Sequence, residues 1–377
     1  MKKLFIIILL VIIIVSLNKK QSSEEMRGVF ISYIELSEYI KDFSEEESKR
    51  NINNMIDNIK DYNLNTIILQ VRIASDSIYN SDIFPYSEYI TSNGKSYDVL
   101  NYFLDKAHEN NIKLYAWINP YRVKTTNNIK EITKDNPAYK YIGTNTIYIN
   151  NGIYYNPAKE EVTKLIVDGV KEVLEYPIDG LLFDDYFYPS NDIDKEDYQE
   201  YLKNNKSISI EKFHLNNINN MIKKVYNECK VKNVKFGISP DGNINNNYQK
   251  NYADVRLWMK DNGYIDFIIP QIYYGFNNEA KSYTKALKEW QGLIGKSDLE
   301  MLVALAAYKI GHEDLYARGG KREWINDNNI LMREVILARN MNNYKGFVLF
   351  RYDNLFNEEV FTSNNDSEIR NLKKVIN

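Results

Sequence analysis

The sequence predicts a single α/β domain, a (β/α)8 TIM barrel, following an N-terminal signal or anchor. Three observations carry that prediction. From Arg27 onward, short apolar runs alternate with longer amphipathic stretches, the mark of βαβ units and a parallel sheet. Such units recur eight times, the count of a closed barrel, and no G-x-G-x-x-G follows any strand. The run Gly180-Leu-Leu-Phe183 ends in Asp184-Asp185 and then Tyr186-Phe-Tyr-Pro189. Carboxylates at the C-terminal end of a buried strand stand where such barrels keep their chemistry. A helix-capping Asp accounts for one of the two carboxylates. It does not account for the pair with three aromatics behind it.

The elements follow in order. Strand one is read as Gly28–Tyr33, followed by a helix over Ser48–Tyr62 and strand two at Thr66–Arg72. A helix over Tyr97–Asn111 leads to strand three, Lys113–Asn119. A hairpin over Ile147–Tyr155, turning at Asn150-Asn151-Gly152, precedes a helix that starts at Pro157, proline being favoured at the first helical position. Strand four is Gly180–Phe183, and a helix over Ile210–Cys229 leads to strand five, Val234–Ser239. The helix Tyr252–Asn262 leads to strand six, Phe267–Tyr273, and the helix Glu279–Ile294 to strand seven, Met301–Ala306. The helix Glu323–Asn342 leads to strand eight, Gly346–Phe350.

Composition narrows the function classes. With 44% hydrophobic and 26% charged residues the chain is globular, and a net charge of −3 leaves no basic footprint for nucleic acid. Cys229 is the single cysteine, so no internal disulfide forms, and a buried inert thiol is expected. Lys2-Lys3 precede an apolar run from Leu4 to Val15, the pattern of an export signal, with neither a small-x-small cleavage site nor a cysteine after it. Residues 1–25 are therefore read as a signal peptide or an uncleaved membrane anchor, and residues 26–364 as the barrel. Residues 365–377 are read as a charged C-terminal tail or helix. The expected location is secreted, or anchored on the outer face of the cytoplasmic membrane or cell wall.

In a barrel the site is assembled from the C-terminal rim. The strand ends supply Gln70, Arg72, Asp76 and Tyr79; then Asn119, Tyr121 and Arg122; then Asp184, Asp185 and Tyr186. They continue with Ser239 and Asp241, Gln271 with Tyr273 and Tyr274, Tyr308, and Arg351 to Asn354. Period two puts Gln70 with Arg72, and Gln271 with Tyr273, on one strand face. Amides and carboxylates bind sugar hydroxyls, aromatic faces stack on sugar rings, and glycoside cleavage needs paired acid and stabilising groups. The expected catalytic residues are Asp184 and Asp185. The expected substrate contacts are Arg72, Asp76, Tyr79, Asn119, Tyr121, Tyr186, Asp241, Gln271, Tyr273 and Trp290. The histidines, His108, His214 and His312, lie far apart and no G-x-S-x-G occurs, so neither a metal, a cofactor nor a serine elbow is expected.

At these residues the chain resembles the bacterial glycosyl-hydrolase-like family 10. The matching segments include Met26-Arg-Gly-Val-Phe30, Asn65 to Arg72 with Asp76 and Tyr79-Asn-Ser81, and Ala116-Trp-Ile-Asn-Pro-Tyr-Arg-Val123. Asp179 to Pro189, Phe236-Gly-Ile-Ser-Pro240 and Ile269-Pro-Gln-Ile-Tyr273 follow in the same order. The resemblance implies a (β/α)8 barrel and glycoside hydrolysis at the cell envelope, on peptidoglycan glycan strands or a related amino-sugar polymer. The family's Trp-Arg-Arg-x-Asn stretch is Phe213-His-Leu-Asn-Asn217 here, and its paired Trp after strand six is Glu289-Trp290.

The Asp184-Asp185 pair resembles that of glycosidases in which the substrate's 2-acetamido group is the nucleophile. Asp184 is then expected to orient the acetamide and Asp185 to act as acid and base, with Tyr273 on the developing oxazoline and Asn119 and Gln271 on hydroxyls. A second scheme pairs one Asp with a distant carboxylate such as Asp241. Two alternatives to peptidoglycan hydrolysis stay open: a catalytically impaired glycan-binding envelope module, and a hydrolase of an exopolysaccharide. A phosphate-binding metabolic barrel is third, disfavoured by the export signal.

Overall fold

Eight parallel strands close into one barrel, each hydrogen-bonded to its neighbour in chain order and the last to the first. They are strand one (Met26–Ile31), two (Thr66–Arg72), three (Lys113–Ile118), four (Gly180–Phe183), five (Lys235–Ile238), six (Phe267–Ile268), seven (Glu300–Leu305) and eight (Tyr344–Leu349). This computed structural model describes residues 24–204 and 207–376. The expected signal or anchor falls on residues 1–25, of which 1–23 lie outside the described residues. Among the described residues no helix is long and apolar enough to cross a membrane.

The barrel interior is filled by side chains from alternate positions, among them Phe30, Ile68, Tyr115, Trp117, Leu182, Phe267, Leu302 and Val348. Two glycines make room for the large rings. A Cβ at Gly180 would sit 2.6 Å from the Tyr115 ring, and one at Gly237 would sit 2.3 Å from Phe267. The outward residues of the same strands form a second, continuous core with the surrounding helices. Cys229 is buried there as a free thiol, and burial raises its pKa.

Several boundaries differ from expectation, each for a local reason. Strand one ends at Ile31 because Ser32 and Glu35 form a capping box that opens a helix at Tyr33–Tyr39. Ser44 and Glu47 do the same for the helix Glu45–Asp61, which starts before Ser48. Strand six stops early because Pro270 has no amide to give to the ladder. The chain rejoins it at Gln271, bridged to Asp241 and Ala304. The expected helix Glu323–Asn342 is two, Glu323–Asn326 and Ile330–Ala338, interrupted at Asp327-Asn328-Asn329. Two helices in the loops after strands four and five, Lys195–Asn204 and Ile244–Gln249, were not anticipated. The hairpin is present as Ile147–Ile149 with Ile153–Tyr155, and Arg122–Lys124 adds a third strand. The C-terminal segment is a helix, Asn365–Ile376, that buries Leu372 and Ile376.

That helix shares a buried acidic patch with its neighbour. Glu368 accepts the Leu331 amide at 2.6 Å, capping Ile330–Ala338. One turn on, Glu334 is fully buried and neither carboxyl oxygen has a hydrogen-bond partner among the described residues. Burial, then the charges of Glu368 and Glu323, push its pKa well above the ordinary value. A carboxyl whose folded pKa exceeds its unfolded one adds stability below the unfolded value and loses it as pH rises through the folded one. Glu334→Met is therefore expected to stabilise the fold by about 1–3 kcal/mol at pH 8. It should also flatten the fall in Tm between pH 5 and 8, as followed by thermal denaturation.

Candidate active site

Period two decides what faces the mouth of the barrel. Ile68 and Leu182 point into the interior, so Gln70 and Asp184 follow on the same side, as Asn119 follows Tyr115 and Trp117. Together with Asp185, Arg122, Tyr186, Ser239, Gln271 and Tyr273 they enclose a cavity of about 250 Å³ at the C-terminal end of the strands. Its apolar wall is Phe30, Trp117 and Phe350, and Ser32 to Ile34 complete it.

Asp184 is held from several sides. Its Oδ2 accepts the Asn119 amide at 2.6 Å and the Trp117 indole N–H at 3.1 Å, and its Oδ1 accepts the Tyr186 backbone N–H at 3.2 Å. Gln70 fixes Asn119 by donating to Oδ1 at 2.6 Å, and the Tyr33 backbone N–H fixes Gln70 in turn at 3.0 Å. This relay runs from the first residue of a capped helix to the carboxylate. Asp185 is less bound, accepting Gln271 Nε2 at 3.2 Å, while the same Gln271 nitrogen donates to the Ser239 carbonyl.

The environments separate the two groups. Burial pushes the Asp184 pKa up to about 6, and the Arg122 guanidinium and the three donors hold it down. Burial, then the charges of Asp184 and Asp241, push Asp185 up to about 7. Arg122 and the donors favour the ionised form of Asp184, and the Asp184 charge in turn favours the protonated form of Asp185. Titratable groups with environments that set them apart are the pattern of an acid/base site. Tyr273 is pushed well above its ordinary value by burial, so it stays a hydrogen-bond donor. Arg122 lies over the Tyr186 ring, 4.7 Å from its centroid. Arg122→Ala is expected to let the Asp184 pKa rise. The acid limb of the pH–rate profile should then move to higher pH while the alkaline limb holds.

A model of the glycosyl hydrolase-like 10 family matches residues 25–318. The chain belongs to that family. It is 30% identical over 364 residues to glycosyl hydrolase YngK of Bacillus subtilis (strain 168), covering 89% of this chain and 69% of that protein. It is 28% identical over 382 residues to glycosyl hydrolase DigH of Escherichia coli (strain K12), covering 89% of this chain and 85% of that one. Among solved structures it is similar to the PgaB (BpsB) glycoside hydrolase domain from Bordetella bronchiseptica. The TM-score is 0.52 at 15% identity, over 94% of this chain and 99% of that one, a likeness of fold. Family and fold together support a glycosidase-type function.

Six expected contacts of this family member lie outside the cavity lining. Strand two carries a register shift between Gln70 and Arg72. The shift cancels the same-face expectation and turns Arg72 outward, buried against Phe84 with 3.9 Å from guanidinium to ring centroid. Asp76 is buried and accepts the Ala74 amide at 2.9 Å, shaping the loop after strand two. Tyr79 and Tyr121 are core residues whose hydroxyls have no partner among the described residues. Trp290 is fully buried and donates its indole N–H to the Gly242 carbonyl at 2.9 Å, so it offers no face to a sugar. Asp241 caps its own loop, accepting Asn243 N at 2.6 Å and Asn246 Nδ2 at 2.9 Å, and reaches the site as a charge beside Asp185.

The departure at Phe213-His-Leu also lies behind the cavity. His214 is fully buried with Nε2 at 2.8 Å from Asp194 Oδ1, while the Tyr188 hydroxyl donates to Asp194 Oδ2 and accepts Asn217 Nδ2. This cluster braces the loop after strand four. His108 pairs with Asp179 at the surface, at 2.9 Å. Trp117, Phe30 and Phe350 had not been singled out as cavity residues. Stepping back two positions from Asn119 reaches Trp117, a signal that was available in the sequence.

Proposed function

We propose that this protein is an extracytoplasmic glycoside hydrolase that cuts an amino-sugar glycan of the cell envelope, peptidoglycan glycan strands first. The observation that carries the reading is the adjacent Asp184–Asp185 pair in the cavity, the first buried and fixed by three donors, the second partly buried and held by Gln271 alone. Asp184 accepts the N–H of the substrate's 2-acetamido group and polarises it for attack on the anomeric carbon. Asp185 gives its proton to the leaving glycosidic oxygen and takes one from water when the oxazoline opens. Tyr273 donates to the acetamide oxygen. Asn119 and Gln271, already oriented, serve the hydroxyls, and Trp117 and Tyr186 border the ring. The apolar run at Leu4–Val15 supports export, so the body acts outside the cytoplasm.

The test is digestion of peptide-free peptidoglycan glycan strands by the soluble body, from about Glu24, with products read by mass spectrometry. Reducing-end fragments from the wild type, lost in Asp184→Asn and Asp185→Asn, establish the activity and the bond cut. Inverted products rule out the acetamide scheme. A folded wild-type body that releases nothing from these strands or from poly-N-acetylglucosamine ends the hydrolase reading in favour of a glycan-binding module.

A further inference from the structure

A second depression, about 620 Å³, opens on the rim formed by the loops after strands five and six. It shares a wall with the catalytic cavity: Tyr273 lines the cavity and Tyr274, the next residue, lines the groove. On the other side, Asn243 lies two residues beyond Asp241, the carboxylate whose charge acts on Asp185. The groove therefore lies across the loop after strand six from the cavity, and a chain leaving the cavity over that loop would run toward it.

Its charge is opposite to that of the protein. The chain carries a net −3, yet Arg256, Lys281, Lys285 and Lys288 line this groove against one carboxylate, Glu289. Glu289 is already matched by Lys281 at 2.7 Å. Arg256, Lys285 and Lys288 have no carboxylate partner among the described residues. Lys285 and Lys288 stand three apart on the helix Tyr283–Gln291, so both project from the same face toward the groove. Trp290 holds that helix to the strand-five loop through Gly242, which gives the cations a fixed base. Tyr316 is 87% exposed at the edge and supplies an aromatic face. Three cations without a carboxylate partner, Arg256 resting over the Tyr248 ring, fit a sugar chain that bears acid groups, and carry no advantage for a neutral or cationic glycan.

Resting on the hydrolase reading, we propose that this groove is the subsite that selects carboxylate-bearing glycan. The groups recognised are the lactyl carboxylates that recur along a peptide-free peptidoglycan strand. Arg256, Lys285 and Lys288 pair with them, and the groove thereby ranks the strand above an uncharged N-acetylglucosamine polymer of the same backbone.

The experiment compares two probes: the peptide-free strand with its carboxylates free, and the same strand after methylamidation. On the free-acid strand Lys285→Ala/Lys288→Ala is expected to raise KM about tenfold, with kcat within about twofold and the salt dependence of KM reduced. The wild type is expected to prefer the free-acid strand, and the double variant to lose that preference. Normal turnover with unchanged KM and unchanged preference overturns the subsite and leaves the hydrolase intact. Calorimetric binding of both probes to Asp185→Asn separates the two readings. Equal affinity for the two strands sinks the subsite whether or not the wild type turns over. Tighter binding of the free-acid strand without wild-type turnover keeps the subsite and removes the enzyme.

Discussion

Asp185→Asn is expected to lower kcat by about 10²–10⁴-fold, the usual worth of a positioned general acid and base. The fold should survive, because Asp185 makes one side-chain hydrogen bond, to Gln271 at 3.2 Å, and an amide fits the same place. The wild-type pH profile makes the argument specific. Catalysis needs Asp185 protonated and Asp184 ionised. With Asp185 pushed up to about 7, activity falls as pH rises through 7. With Asp184 pushed up to about 6, activity falls as pH drops through 6. The result is a narrow bell in kcat/KM, and Asp185→Asn should erase its alkaline limb along with most of the rate. An alkaline limb that persists unchanged in Asp185→Asn would assign the acid to another group.

Asp184→Asn is expected to cost about 10²–10³-fold in kcat, the scale of one lost electrostatic contact to a developing charge. An amide oxygen can still accept from Asn119 and Trp117, but its NH2 then faces the Tyr186 N–H, so the variant loses that hydrogen bond along with the charge. The same variant should shift the remaining carboxyl. The Asp184 charge is one of the causes that raise Asp185, so its removal lowers the Asp185 pKa and moves the alkaline limb down. The acetamide role has its own check. Strands whose sugars carry a free 2-amino group in place of the 2-acetamido group should turn over at least about 10²-fold more slowly. Equal rates on both would leave Asp184 as a purely electrostatic group.

Legibility in the sequence followed the range of the physics. Apolar runs and amphipathic stretches are read residue by residue, and they located all eight barrel strands. The Ser32-to-Glu35 and Ser44-to-Glu47 caps are equally local signals, and the first of them opens the helix at Tyr33. Site residues on a clean period-two strand end reached the cavity, as Asn119 and Asp184 did. Arg72 failed the same rule because a register shift at the strand end exchanges the two faces. Tyr79, Tyr121 and Trp290 failed for another reason: an aromatic residue looks alike in sequence whether it covers a core or a sugar.

By itself the sequence determined the barrel and its unit count, and it placed two carboxylates and an aromatic loop at the end of strand four. Those properties are local, set by hydrophobic period and strand length. The tertiary structure alone decided which distant residues meet those carboxylates. Gln271 lies 86 residues beyond Asp185, and Trp117 67 residues before Asp184, brought in by closure of the barrel. It also decided which carboxyl is favoured to ionise first. Desolvation depends on the walls around a group and Coulomb forces on its neighbours in space, and neither is written in the order of residues along the chain.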